Sequence, residues 1–284
     1  MRGRPGPLAL LILVMLSCAP IASAEELVRI TGGPSLLDLI RQRQARERGE
    51  TPAAAAETVD AYLSRPDGSR PDRDGRFPAI VYLHGCGGLS EKTRHRVADL
   101  MTGWGYVTLA VDSFASRGIT EACTRDLASR KGDALEALRY LSGLGFVDPD
   151  RIALVGASQG GGIGLQIASA RAVAAPEQPK FRAVVAYYPP CRLAAEQLTI
   201  PVLVLIGEVD DWTPAGDCES WMQRRAGKGA PVRLVVYPGA YHSFDNPGAM
   251  IGGRYFGHWL KYDADAARRA IGDMHEFLQA QFTK

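Results

Sequence analysis

Residues 151–168, RIALVGASQGGGIGLQIA, pass from an apolar strand through a glycine cluster into a helix with no loop between them. Ser158 stands at the corner, with Gly156 two places before it and Gly160 two places after. A chain turns this sharply only where neighbouring side chains are too small to collide. Two kinds of site use such a corner. A phosphate cradle of the form G-x-x-x-x-G-K-[ST] needs a lysine and a hydroxyl, but Gly156 and Gly161 are followed here by Gly162 and Ile163. No G-x-G-x-x-G follows a strand either. The other site is a nucleophile elbow, which lifts a serine hydroxyl above the sheet and sets it at a helix N-terminus, where the dipole favours developing negative charge. A simple N-cap role for Ser158 is the competing reading.

The surroundings of the corner set the fold class. From residue 57 onward, short apolar stretches (FPAIVYLHG, YVTLAVD, RIALVG, FRAVVAYYP, PVLVLIG, VRLVVYPG) alternate with amphipathic ones. SEKTRHRVADLMTGWG reads as a helix capped by Ser90, and the closing stretch carries the stripe Ile271, Met274, Phe277, Leu278 and Phe282. Wholly apolar strands separated by helices imply an α/β protein with a mostly parallel central sheet and helices on both faces. Residues 25–56 are charged and helically spaced, and are expected to form an N-terminal helical surface segment; residues 57–284 form the catalytic domain.

Ahead of these, Arg2 and Arg4 precede the apolar run LALLILVMLSCAPIA and the triplet Ala22-Ser23-Ala24. That order reads as a secretory signal peptide over 1–24, with cleavage after Ala24 and a secreted or periplasmic product. A membrane anchor fits less well because Ser17, Cys18 and Pro20 interrupt a run already short for a span, and Met15 and Leu16 fit a lipobox around Cys18 poorly. Loss of two arginines brings the formal charge of +2 to about zero, so no global field favours nucleic acid or an anionic membrane. Nothing after residue 24 is apolar enough for stable membrane insertion. Cys86, Cys123, Cys191 and Cys218 remain, an even number suited to two disulfides in an exported chain, with three pairings open. No His/Cys spacing suggests a metal, and no cofactor is implied.

A serine nucleophile needs a base, and the chain has five histidines. His95 and His275 lie on helices, His258 sits among aromatics, and His84 ends a strand where it would shape a loop. His242, in YPGAYHSFD just past a strand end, is the expected base. The acid that fixes its tautomer is sought in LIGEVDDWTP, where Asp210 suits the first turn after the strand better than Asp211, which would cap the turn.

Read in order, YLHGCGG, VDSFASRG, GASQGG, GEVDDWTP and YPGAYHSF resemble the dienelactone hydrolase family of the α/β-hydrolase fold, over roughly residues 57–282. The resemblance implies Ser158, Asp210 and His242 as a catalytic triad. The enzymes that give the family its name carry a cysteine at the elbow and a glutamate in the loop that here reads LHGCGG. With serine in that place, the resemblance implies a serine esterase or related acyl hydrolase acting on a small-molecule ester or lactone. The oxyanion hole would be formed by the Gln159 N–H and the Cys86 N–H.

Disulfides Cys86–Cys123 and Cys191–Cys218 are expected: the first would join two loops at the carboxyl ends of strands, the second would tie the loop after AYYPP to the helix after the acid loop, and both would stiffen the rim of the site. Phe114, Arg117, Tyr188 and Trp212 are candidate substrate-binding residues, with Arg117 equally suited to an ion pair. The stretch 244–262, rich in glycine and aromatics, is a candidate partial lid. The other readings held open are a peptidase or acyl-peptide hydrolase and a non-catalytic binding protein on the same scaffold. Oligomeric state is not legible.

Overall fold

The computed structural model describes residues 25–34, 36–51, 57–67, 71, 73–125, 127, 129–169 and 179–283. The expected signal peptide, residues 1–24, lies outside the described residues. In chain order the elements are β1 (Glu26–Thr31), α1 (Leu36–Glu47), β2 (Thr58–Ser64), β3 (Phe77–Leu83), α2 (Glu91–Gly103), β4 (Val107–Asp112), α3 (Ser129–Ser142), β5 (Val147–Ala157), α4 (Gln159–Ala168), β6 (Val184–Tyr187), β7 (Val202–Gly207), α5 (Ala215–Arg224), β8 (Val232–Tyr237), β9 (Gly253–Tyr255), β10 (His258–Leu260) and α6 (Ala264–Phe282).

Eight strands form one sheet in the order β1-β2-β4-β3-β5-β6-β7-β8. Strands β3 to β8 are mutually parallel, and β1 and β2 add an antiparallel edge. Every residue of β3, β4, β6 and β7 is buried, which is why their sequences show no polar alternation. Helices α2 to α6 pack against this sheet, giving an α/β architecture. Ser90 caps α2 by accepting the Thr93 N–H, and Met274, Leu278 and Phe282 of α6 reach the core. Ile271, expected on the same stripe, sits at its flank and is 36% exposed.

The N-terminal segment differs from the helical expectation. Its first residues form β1, paired antiparallel with β2 from Glu26 opposite Leu63 to Thr31 opposite Thr58. Only Ile30 of this strand is fully buried, with Val28 packed against the core, so two inward residues set its register. Helix α1 follows as the expected helical part, with the exposed Arg43–Glu47 pair along one side. Helix α3 begins at Ser129.

Because β3 to β8 run in one direction, their carboxyl ends share one edge: Leu83 lies beside Gly156, Ala157 beside Tyr187, and Gly207 beside Tyr237. The loops leaving these ends carry Cys86, Ser158, Tyr188, Asp210 and His242. Ligand sites of such sheets lie at this edge.

Candidate active site

Ser158 joins β5 to α4 with φ 53° and ψ −115°, a left-handed conformation that costs energy for any residue with a side chain. Its backbone is held on both sides, Ser158 N–H donating to Tyr187 O at 2.8 Å and Gly162 N–H to Ser158 O at 2.9 Å. The corner tolerates no bulk: a Cβ on Gly160 would stand 2.3 Å from Leu83 O. The hydroxyl makes no capping bond to the helix. It lies instead 3.1 Å from His242 Nε2.

His242 reaches that position on the loop after β8, which crosses the end of β7 so closely that a Cβ on Gly207 would stand 2.2 Å from Ala240 O. The imidazole is 2% exposed and wedged between Tyr188 and Trp212, with ring centroids at 4.5 and 5.0 Å. His242 Nδ1 lies 2.8 Å from Asp210 Oδ2. An acceptor there assigns the proton to Nδ1 and leaves Nε2 free to accept from the serine hydroxyl.

Asp210 is buried and fully engaged. Its Oδ1 accepts the N–H groups of Trp212 and Thr213 at 2.9 and 2.8 Å, and its Oδ2 is 2.9 Å from Thr213 Oγ1. Thr213 Oγ1 also lies 3.0 Å from Tyr188 O and 3.2 Å from His242 Nδ1. Its single proton serves one of two acceptors, and the hydroxyl locks acid, base and the β6 loop together. Asp211 is used differently from the expected turn cap: its Oδ1 accepts Trp259 N–H at 2.9 Å and stands 3.7 Å from His258 Nδ1.

The remaining histidines are occupied elsewhere. His84 is buried, its Nδ1 2.6 Å from Gly85 O and its ring edge-on to Phe114 at 4.5 Å. Burial, with the Arg130 charge beside it, pushes His84 down to about 3, so the imidazole stays neutral. His95 stands 3.5 Å from Glu25, His275 stacks on Trp104, and His258 stacks on Trp212.

The Gln159 N–H opens α4 and so has no intrahelical acceptor, and among the described residues neither it nor the Cys86 N–H is used by another group. Cys86 is bonded to Cys123, tying the loop after β3 to the loop after β4, and Ala122 N–H donates to Cys86 O at 2.9 Å beside the bridge. Cys191 is bonded to Cys218, tying the loop after β6 to α5.

A cavity of about 230 Å³ opens over Ser158 and His242. Tyr188 and Trp212 line it, as the sequence suggests. Phe114 and Arg117 do not, and their candidacy as substrate-binding residues is corrected. Phe114 is buried behind the loop against His84. Arg117 donates to both oxygens of the fully buried Asp133, at 2.7 and 2.9 Å, and to Glu57 at 2.9 Å, which leaves no free edge for a substrate. Tyr255, Leu260, Arg96 and Asn246 line the cavity without having been singled out, although Tyr255 and Leu260 belong to the candidate lid stretch. Within it β9 and β10 form a hairpin, attached through a bridge between His242 and Leu260. Among the described residues no group of His, Cys, Asp or Glu is placed to hold a metal ion.

The model of the dienelactone hydrolase family matches residues 59–282. A Bradyrhizobium protein described as a probable 2-oxo-3-(5-oxofuran-2-ylidene)propanoate lactonase is 25% identical over 207 residues, covering 65% of this chain and 78% of that one. Among solved structures, a dienelactone hydrolase-like promiscuous phosphotriesterase from metagenomic libraries superposes with a TM-score of 0.65 at 19% identity, over 91% of this chain and 99% of the other. A thermophilic esterase from Thermogutta terrifontis with propionate bound gives 0.62 at 20% identity, over 80% and 91%. With the match running from the second strand to the last helix, the chain belongs to the dienelactone hydrolase family and is a hydrolase.

Proposed function

We propose that the protein is an exported serine hydrolase that cleaves small carboxylic esters or lactones. The observation that carries this reading is the unbroken chain Ser158 Oγ–His242–Asp210, with contacts of 3.1 and 2.8 Å at a strained corner beside a cavity. His242 Nε2 takes the proton as Ser158 Oγ attacks the carbonyl carbon, and Asp210 remains ionised to stabilise the imidazolium. The Cys86 and Gln159 N–H groups receive the oxyanion, each worth about 3 kcal/mol in the transition state. His242 then protonates the departing alkoxide, leaving an acyl-enzyme. For a lactone the alkoxide stays tethered to the acyl group. A water deprotonated by His242 releases the acid and restores Ser158.

The cavity volume and its aromatic lining by Tyr188, Trp212 and Tyr255 favour compact substrates, and the lactonase description of the Bradyrhizobium relative favours including lactones. Export is favoured by the two disulfides, which persist in oxidising compartments. Cleavage after Ala24 would leave Glu25 first, where its carboxylate meets Arg94 at 3.1 Å. No helix among the described residues is long and apolar enough to cross a membrane.

The test is a panel of p-nitrophenyl esters of increasing acyl length, together with five- and six-membered lactones. Wild type is expected to prefer short acyl groups, and Ser158→Ala to lose about 10⁴-fold or more in kcat. Equal rates for the two proteins would contradict the reading.

A further inference from the structure

Arg130, the second residue of α3, is fully buried, yet no carboxylate among the described residues forms an ion pair with it. Its Nη1 donates to Gln159 Oε1 at 2.5 Å. Its Nη2 donates to His84 O at 2.6 Å, and its Nε has no partner. The face of Phe114 lies 5.1 Å from the guanidinium carbon. The two nearby acids are committed elsewhere. Asp133 receives both Arg117 nitrogens and the Gly33 N–H, while Asp112 Oδ1 receives the N–H groups of Phe114 and Ala115. Burial lowers Arg130 only to about 10, so it is a cation at neutral pH.

A buried cation bonded directly to no carboxylate is costly. This one sits within a closed circuit. Arg130 holds the His84 carbonyl, two residues before Cys86, and the Gln159 side chain. Gln159 Nε2 in turn donates to Ala122 O at 3.1 Å and Arg125 O at 3.0 Å. Ala122 N–H closes back on Cys86 O, and Cys123 is bonded to Cys86. The two backbone amides assigned to the oxyanion therefore belong to two residues that this circuit fixes.

We propose that Arg130 is the positioning residue of the oxyanion hole. It holds the Cys86 and Gln159 amides in register, and its charge, bonded directly to no carboxylate, gains a further anion when the tetrahedral oxyanion forms at those amides. The inference rests on the serine-hydrolase reading. Its energetic meaning is that Arg130 stabilises the transition state more than the bound ester, so that kcat depends on it while KM does not.

The test compares wild type, Arg130→Met, Arg130→Lys and Gln159→Glu. Folding is monitored by circular dichroism, kcat and KM by a short p-nitrophenyl ester, and oxyanion binding by the Kd of an aryl trifluoromethyl ketone, which adds to serine as a tetrahedral adduct. Arg130→Met is expected to lose about 100-fold in kcat, the effect of removing one oxyanion donor, with KM within threefold and ketone affinity weakened in parallel with kcat. Arg130→Lys, which keeps the charge and loses the fork, should recover about tenfold of that loss. Gln159→Glu neutralises the cation and removes both Nε2 bonds, and should cost at least tenfold in kcat.

A folded Arg130→Met with kcat within threefold of wild type would overturn the proposal, as would a loss in kcat without weakened ketone binding. If Arg130→Met does not fold, unchanged kcat in both Arg130→Lys and Gln159→Glu overturns it. Fluorophosphonate labelling of wild type separates the two levels. A labelled wild type with indifferent variants sinks only the role of Arg130, whereas an unlabelled, inactive wild type sinks the serine-hydrolase reading beneath it.

Discussion

The two walls of the cavity are built in opposite ways. On one side, the β3 loop, the elbow and α3 meet through backbone contacts, a disulfide and a buried arginine, and a Cβ on Gly160 would collide with Leu83 O at 2.3 Å. On the other, the β9–β10 hairpin is a three-residue ladder with Tyr255, Phe256 and Trp259 each at least 40% exposed. It is fastened by the Asp211 carboxylate on Trp259 N–H, the Trp212–His258 stack and the bridge from His242 to Leu260. The lesson is a division of labour. Groups assigned to the proposed chemistry are over-determined, and groups assigned to the variable part of a substrate are loosely seated, as in other rigid scaffolds with adaptable loops.

Substitutions on the rigid wall should cost most. Asp210→Asn keeps the shape of the acid but favours the wrong imidazole tautomer, and is expected to lower kcat by about 10⁴-fold with little change in melting temperature. A fall of less than tenfold would mean that Thr213 or Asp211 carries the role. Replacing Cys86 and Cys123 by serine opens a link of 37 residues' separation and should cost up to about 4 kcal/mol of stability, read by urea unfolding, along with a lower kcat. The corresponding change at Cys191 and Cys218 should affect stability more than kcat, since neither cysteine lines the cavity.

A pH titration sharpens the same contrast. His84 sits at about 3 in the fold and near 6.5 when unfolded, so between those values the unfolded chain binds the extra proton. Its contribution is therefore fully present above about pH 6.5 and is lost as the pH falls toward 3, at up to about 1.4 kcal/mol per pH unit. His84→Asn should flatten that slope by one proton, as measured by urea midpoints at several pH values; an unchanged slope would place the proton uptake elsewhere. The smallest effect belongs to the hairpin. Trp259→Ala should cost under about 1 kcal/mol of stability and shift KM a few-fold between short and long acyl esters while sparing kcat. A large loss in kcat would move the hairpin to the rigid side of the comparison.

Much of this division is legible in the sequence. Six apolar strands and the glycine-framed Ser158 announce the sheet and its sharp corner, because backbone crowding leaves glycine little competition there. Asp210 and His242 stand at strand ends, where a parallel sheet gathers its loops. The less legible parts are those set by long-range pairing. Only Val28 and Ile30 of β1 face the core, an alternation too short to betray a strand there. The hairpin turns at Phe256 and Gly257, both with positive φ, and phenylalanine gives no turn signal. Arg117 has the composition of a substrate clamp, yet Asp133, sixteen residues on, claims it. Arg130 is one arginine among many until its burial is seen.

The central claim is that Ser158 is a nucleophile activated by His242 and Asp210. Its most direct test is incubation of the protein with a fluorophosphonate, followed by peptide mapping by mass spectrometry. The account predicts a single phosphonylated residue, Ser158, in the peptide containing GASQGG, with labelling at least 10³-fold slower, an order set by loss of the general base, in His242→Ala. Labelling of Ser158 at the same rate in wild type and His242→Ala, or no labelling at Ser158, would contradict it.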